Sequence, residues 1–173
     1  MSGIIAQNVG RHGGLIKAVS GGGGAWTLIQ TQTASASADI SFTSGLDSTY
    51  DEYCFKFINI HAEDNSAQLN MNFSIDGGSN YNVAKTTAVF RVTHGEDDGS
   101  LAFAYHASFD LAQGTGAQRI TNSVDGSNNA DSNASGYLYL FAPSDTTFVK
   151  NFLCCISSED GEIGYSQNTA GYG

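Results

Sequence analysis

The sequence predicts an all-β fold: an antiparallel β-sandwich, jelly-roll-like, with an extended N-terminal arm in front of it. Apolar and polar residues alternate in several segments, and turn-forming residues separate those segments at intervals of about 8–12 residues. No segment has the apolar spacing of an amphipathic helix. The chain has 173 residues, 40% of them hydrophobic, which is enough for one domain with a sizeable core. The Cys–Trp–Cys spacing of immunoglobulin domains is absent, which favours the jelly-roll arrangement.

The strictest alternation occurs in residues 34–42 (ASASADISF) and 67–75 (AQLNMNFSI). In each segment the apolar side chains fall on one face, as a half-buried antiparallel strand requires. The later strand-like segments are apolar on both faces in places, which is typical of strands that are covered on two sides. The further predicted strands are residues 52–60, 83–92, 101–108, 136–142 and 147–157.

Polar, glycine-containing stretches separate these strands. DGGSN (76–80) divides two strong strands and contains Asp-Gly, a favoured hairpin pair. HGEDDGS (94–100) and residues 123–136 are longer polar loops. FDLAQG (109–114) is long enough for a helical turn or two at most. Seven or eight short strands are therefore predicted, which is typical of a sandwich.

Residues 1–24 differ from the rest of the chain. They contain eight glycines, Arg11, Lys17 and no acidic residue, so their formal charge is +2. Residues 25–173 carry the other five basic residues and all 17 acidic ones, which gives −12. We therefore predict an arm with a glycine-rich hinge in residues 1–24 and a sandwich domain in residues 25–173. An acidic domain repels phosphate backbones, so binding to nucleic acid is not expected.

The cysteines and the hydropathy pattern indicate a protein that folds in a reducing cytoplasm. Cys54, Cys154 and Cys155 are odd in number and lack C-x-x-C spacing, which argues against a disulfide framework or a zinc site. The N-terminus has no hydrophobic core of a signal peptide. No apolar stretch approaches the ~20 residues of a membrane helix, so membrane insertion is not expected.

The sequence contains none of the common catalytic motifs, and we predict a protein that is not an enzyme and needs no cofactor. The G-x-S-x-G, Walker A and H-E-x-x-H patterns are missing. Oxygen-bearing side chains alternate in residues 125–133, but both anchors of a calcium-binding EF-hand are replaced, by Ala130 and Gly136. That loop is interpreted as a solvated turn, and no metal site is predicted. The acidic clusters at 96–98 and 159–162 are interpreted as exposed loops rather than a glycosidase pair.

Several longer phrases carry a resemblance to a known group of proteins: STYDEYCFKFINIH (48–61), FSIDGGSNYN (73–82), FRVTHGEDD (90–98), ASGYLYLFAPSDTTFVK (134–150) and TAGYG (169–173). With its opening MSGIIAQN, the chain resembles small virion structural proteins encoded by marine tailed bacteriophages. The resemblance implies a non-enzymatic component of the phage particle, made in the host cytoplasm and located in the virion. Tail fibre, head fibre and capsid decoration protein all stay open, and no catalytic residue is implied.

The arm then has a candidate role in attachment. We expect its apolar residues to anchor the protein to other virion proteins of the capsid or tail, and its glycine run to act as a hinge. The anchors are Ile4, Ile5, Leu15 and Ile16, and the hinge residues are Gly21, Gly22, Gly23 and Gly24. Virion appendages are symmetric, so a homo-oligomer is expected, with a trimer favoured.

A different function stays open beside this one. The domain is alternatively a lectin-like, carbohydrate-binding module that contacts a glycan of the host surface. Exposed aromatic rings are the candidate glycan contacts, because sugars stack on such rings. The candidates are Tyr81, Tyr137 and Tyr139.

The C-terminus carries one further expectation. Members of the phage group continue through one or two more strands, whereas this sequence stops at Gly173. If the chain is complete there, we expect an unpaired edge strand, which a neighbouring subunit or the virion surface would cover.

Overall fold

The fold is given by a computed structural model that describes residues 26–125 and 130–173. All strands are antiparallel and lie within one compact unit, Gln32–Gly173. Residues 26–31 belong to a separate unit, and they are exposed and without regular secondary structure. The predicted anchors and hinge of the arm lie outside the described residues, and the domain boundary after residue 24 stays a prediction.

Eight strands and one short helical turn make up the regular structure of the described residues. The turn is a 3₁₀ helix at Ala107–Phe109, which shares only Phe109 with residues 109–114, the segment expected to form a turn or two at most. In chain order the strands are β1 (Glu52–Ile60), β2 (Asn70–Met71), β3 (Thr86–Gly95), β4 (Ala102–Tyr105), β5 (Gln118–Arg119), β6 (Ala134–Phe141), β7 (Asn151–Glu159) and β8 (Ile163–Tyr172).

The strands form two layers of unequal size. The main sheet has six strands in the order β1-β6-β7-β8-β3-β4. The second layer contains the small β2-β5 sheet and an isolated bridge between Ala67 and Val124. The predicted fold class, an all-β antiparallel sandwich, is confirmed. Residues 67–75, predicted as one strand, form a ladder only at Asn70–Met71.

The apolar core lies between the two layers. Phe73 of the second layer packs edge-on against Phe152 of β7, with ring centroids 5.4 Å apart. Leu69 and Met71 also pack against this cluster from the second layer. The buried cluster itself consists of Ile120, Val124, Ala134, Leu138, Leu140, Phe152, Cys154 and Ile156.

The other half of the interior is polar and partly hydrogen-bonded, since Gln167 Oε1 and Thr169 Oγ1 are buried without a partner. Gln118 is fully buried; its Oε1 accepts a hydrogen bond from Thr87 Oγ1 at 2.7 Å, and its Nε2 donates to Phe109 O at 3.0 Å. Gln167 of β8 donates from Nε2 to Arg119 O at 3.1 Å. These bonds join β3 and β8 to the second layer. They also give both buried Nε2 groups an acceptor, and a buried amide group without a partner would cost about 1–3 kcal/mol.

Two arginines line the same polar half. The guanidinium of Arg119 lies 3.9 Å from the ring centroid of Phe109, and that of Arg91 lies 4.9 Å from the ring centroid of Tyr165. Both guanidiniums donate hydrogen bonds to Asn122. Burial lowers the pKa of both arginines. Both arginines therefore have a structural role, in which each guanidinium packs on the face of an aromatic ring.

Lys85 joins the start of β3 to the second layer. Its side chain is fully buried, and Nζ donates to Asn72 Oδ1 at 2.5 Å and to Val83 O at 2.8 Å. Its backbone pairs with Gly114 in an isolated bridge. Burial lowers the pKa of Lys85, because the charged form loses water and gains only neutral oxygen partners.

One predicted strand is wrong. Residues 34–42 form no strand, and most of them are exposed. Their alternation comes from alanine and serine, and alanine side chains bury too little apolar area to offset the cost of ordering a strand. Phe42, the one large side chain at the end of this segment, still contacts Phe55 of β1, with ring centroids 5.5 Å apart.

The strand β8, Ile163–Tyr172, was not predicted. It lies inside the main sheet, between β7 and β3, while β1 and β4 form the edges. Its inward side chains are those of Tyr165, Gln167 and Thr169, so the strand lacks the alternating apolar pattern by which strands are recognised. The C-terminal strand is not itself an edge, since β8 pairs on both sides along its length.

A pair of glycines in β8 provides a test of this packing. A Cβ at Gly171 would lie 2.7 Å from Thr86 O and 2.8 Å from Phe152 Cζ, whereas a Cβ at Gly164 would meet only His94 O at 3.7 Å. We expect Gly171→Ala to lower the free energy of unfolding by about 1–3 kcal/mol through overpacking. Gly164→Ala is the matched control and should change it by less than about 0.5 kcal/mol. Urea unfolding of both variants measures the difference, and equal effects would contradict the described position of β8.

Candidate functional site

The candidate site is the face of the main sheet that points away from the second layer, here called the outer face. Cys154 and Ile156 point into the core, so their neighbours Leu153 and Cys155 point outward. The register of the ladders extends this alternation to the other strands. The large apolar side chains of the outer face are Phe90, Val92, Phe103, Tyr105, Tyr137, Tyr139, Phe141, Leu153 and Tyr172.

Most of these side chains are unusually exposed for their type, while Tyr139 and Phe141 are half-buried. Phe103 is 73% exposed, Tyr105 62% and Leu153 50%. Single exposed apolar residues are ordinary on protein surfaces, but a contiguous group on one face marks an interaction site. The outer face carries two such groups, one on β6 with Leu153 of β7 and one on β3 and β4.

The middle of the outer face carries no charged side chain. By strand alternation, the charged groups on this side of the sheet are Glu52 and Lys56 on the edge strand β1, and His94 and Glu159 at strand ends. All four lie at the border of the face. The uncharged centre contrasts with the rest of a domain whose formal charge is strongly negative.

The relief of the outer face consists of two aromatic ridges and a valley between them. On β6, Tyr137 and Tyr139 meet edge-on with ring centroids 5.2 Å apart, and Phe141 follows on the same strand. On β3 and β4, the rings of Phe90 and Phe103 are 5.7 Å apart. The valley lies along β7 and β8, whose outward residues are mostly small: Cys155, Ser157, Ser166, Asn168 and Ala170.

The three tyrosines proposed as glycan contacts do not form one platform. Tyr137 and Tyr139 are adjacent on the outer face. Tyr81 lies in the loop that precedes β3, where its backbone oxygen accepts a hydrogen bond from Asn72 Nδ2 at 2.7 Å. The anchors Ile4, Ile5, Leu15 and Ile16, and the hinge Gly21–Gly24, fall outside the described residues.

The polar loops hold hydrogen-bonded acids rather than converging ligands. Asp125 Oδ1 accepts from Ser66 N at 3.1 Å, and His94 Nε2 lies 3.4 Å from Asp98 Oδ1. Glu159 is half-buried, and burial raises its pKa. Within residues 26–125 and 130–173, no three His, Cys, Asp or Glu side chains come together as a metal site would require.

The three cysteines are free thiols on two different sides of the sheet. Cys154 is buried in the core, and burial raises the pKa of its thiol to about 12, with a smaller contribution from the adjacent Cys155. Cys54 and Cys155 are half-buried on the outer face. Burial also raises the pKa of Cys54.

The sequence contained a signal for the outer face, but its interpretation was incomplete. Residues 101–108, 136–142 and 147–157 were recognised as apolar on both faces and predicted to be covered on both. In the described part of the chain, the second layer covers one face only. Phe90 and Phe103 were not identified as site residues, because their position beside each other depends on the pairing of β3 with β4.

Comparison with protein families, curated proteins and solved structures finds no match to this chain. None of the helices in the described residues is long and apolar enough to span a membrane.

The adjacent cysteines allow a direct test of which side chains face outward. We expect iodoacetamide, at low protein concentration, to modify Cys155 at least about tenfold faster than Cys154, because the thiolate is the reactive form and Cys154 is buried with a raised pKa. Peptide mass spectrometry after timed alkylation measures both rates. Protein unfolded in urea is the control, in which the two rates should converge. Equal rates in the folded protein would contradict the assigned faces.

Proposed function

We propose that this protein is a non-enzymatic structural component of a bacteriophage particle: a fibre, tail or capsid-decoration subunit. The observation that carries the proposal is the outer face, an exposed and uncharged aromatic surface on a rigid antiparallel sheet. The resemblance of the sequence to small virion proteins of marine phages supports the same assignment. An assembly subunit needs a surface of this kind, whereas the described residues offer no converging catalytic groups.

The chemistry of the outer face suits contact between proteins. Tyrosine and phenylalanine are enriched at protein interfaces, and charged residues are depleted from interface centres. The aromatic ridges of Tyr137, Tyr139 and Phe90 have this composition. The acidic remainder of the domain keeps the subunit soluble before it assembles.

The N-terminal arm supplies the attachment to the particle in this proposal. Its apolar residues, Ile4, Ile5, Leu15 and Ile16, dock on other virion proteins of the capsid or tail. The hinge Gly21–Gly24 lets the acidic sandwich project from the surface. The subunit is made in the host cytoplasm and ends in the virion.

Changes in the arm test the attachment. We expect a variant in which Ile4, Ile5, Leu15 and Ile16 are all serine to fold normally but to be missing from purified particles, because its apolar anchors are gone. Deletion of residues 2–20 should give the same result. The matched control is Gln7→Ser with Asn8→Ser, which changes polar positions of the same arm. Immunoblots of particles assembled with each variant supplied in trans measure incorporation, and circular dichroism checks the fold. Retained incorporation of both arm variants would contradict the proposal.

A lectin-like function is the second candidate, and one observation favours it. The rings of Tyr137 and Tyr139 lie side by side on an exposed sheet face, and Tyr137 is 42% exposed. Such a pair offers an apolar platform with hydroxyl groups at its edge, which suits a sugar ring of a host-surface glycan. The two functions are compatible, since a virion subunit can also bind sugars.

A glycan array separates this candidate from a purely structural role. If the face binds sugars, Tyr137→Ala should weaken binding to any glycan hit by about tenfold or more, because it removes half of the platform. Tyr81→Ala is the matched control, since Tyr81 is similarly exposed but lies off the outer face. The absence of any glycan hit at high protein concentration would count against the lectin function.

A further inference from the structure

We propose that the outer face binds the outer face of a second copy of this chain, in a two-fold, sheet-to-sheet pair. The inference rests on the proposed function, since it names the partner of the assembly surface. It extends that function by assigning the pair to the free protein, before any particle is present.

The distribution of charge favours a second copy as the occupant. Each chain has a formal charge of −10, so two copies repel one another through most of their surfaces. The outer face is the exception, because its acidic and basic groups lie only at the border. A strongly basic partner would be attracted to the acidic loops instead, whereas an identical chain can approach through this uncharged face at low electrostatic cost.

The relief of the face is complementary to itself. The aromatic ridge on β6 and the ridge on β3–β4 are separated by three strand spacings, about 14 Å at ~4.8 Å per spacing. The valley between them is floored by small side chains such as Cys155, Asn168 and Ala170. In a two-fold pair, a ridge of one copy enters the valley of the other, and the partner's ridge does the same in return. A depression beside Leu153 and Ala170 marks one end of this valley.

The size of the face sets the area that a pair can bury. Six strands span about 24 Å at ~4.8 Å per spacing, and eight residues of strand extend about 27 Å at ~3.4 Å each. The product is about 650 Å², and with one ridge of each copy in the partner's valley about two-thirds of this area overlaps, roughly 450 Å² for each copy before side-chain relief is added, against the ~800 Å² of a standard interface. Two stacked sheets pack about 10 Å apart, which leaves room for one interdigitated layer of rings.

A two-fold pair differs from the trimer that particle symmetry favoured. Face-to-face contact of identical surfaces closes after two copies, because the valley of each copy is then filled by a ridge of the other. A trimer would have to form through a different surface and would leave the valley of each copy unfilled. Measurement of the oligomeric state therefore separates the two arrangements.

The test is the oligomeric state of the full chain and of two arginine variants. We expect a dimer at about 10 µM by size-exclusion chromatography with light scattering. Asn168→Arg places a charge on the valley floor of both copies and should raise the Kd by on the order of 100-fold. Ser79→Arg, in an exposed loop away from the face, is the matched control and should stay dimeric. Thermal unfolding confirms that both variants fold.

Modification of Cys155 by a maleimide provides a second readout. Cys155 should be protected from a bulky maleimide in the dimer and become reactive in Asn168→Arg. A monomer at 100 µM with reactive Cys155, a trimer, or a dimer that Asn168→Arg does not weaken would overturn the pairing. Particle incorporation tests the proposed function separately from the pair. A monomer that still enters particles would contradict the two-fold pair alone, whereas a dimer that never enters particles would contradict the proposed function alone.

Discussion

The pairing of β8 with both β7 and β3 holds the main sheet together. On one side lie β1, β6 and β7, on the other β3 and β4, and β8 is the strand that hydrogen-bonds to both groups. Its ladder with β3 runs over ten residue pairs, and Gln167 adds a side-chain bond to the second layer. Without β8, two small sheets would each have to offset their own ordering entropy with far less buried area.

The same strand determines the character of both faces. Inward, Tyr165, Gln167 and Thr169 are buried and place hydrogen-bonding groups in the interior beside the apolar cluster. Outward, Asn168 and Ala170 are small and leave the valley between the aromatic ridges. A strand with large apolar residues facing inward would have made a stronger apolar core. It would not have given the polar interior that β8 forms on its inner side, opposite the small side chains on its outer side.

Much of the sheet could be predicted from the sequence, and the failures have two physical origins: apolar alternation is not the same as buried area, and the pairing of distant strands is not visible in a local pattern. Residues 52–60 were predicted with the bounds that β1 has, because their inward residues are large and apolar. Residues 34–42 were predicted as a strand and form none, because their alanines alternate like strand residues but bury little area. The strand β8 was missed for the opposite reason, because its inward side chains are buried but do not follow an apolar pattern. Tyr137 and Tyr139 were identified because they are neighbours along one strand. The ridge of Phe90 and Phe103 was not, because it depends on which strands become neighbours in the sheet.

The edges of the main sheet leave its face as the main route for association. An exposed edge strand invites pairing with another chain, and proteins prevent this with charges, irregularities or short strands. The edge strand β1 carries Glu52 and Lys56, and its register is interrupted between Phe57 and Ile60. The opposite edge, β4, has four residues and offers few backbone groups. Copies of this chain are therefore poorly suited to extend the sheet edge to edge, while the uncharged outer face presents rings and a matching valley. Assembly through the face buries those rings and keeps the acidic loops in water, so it gains apolar burial without bringing like charges together.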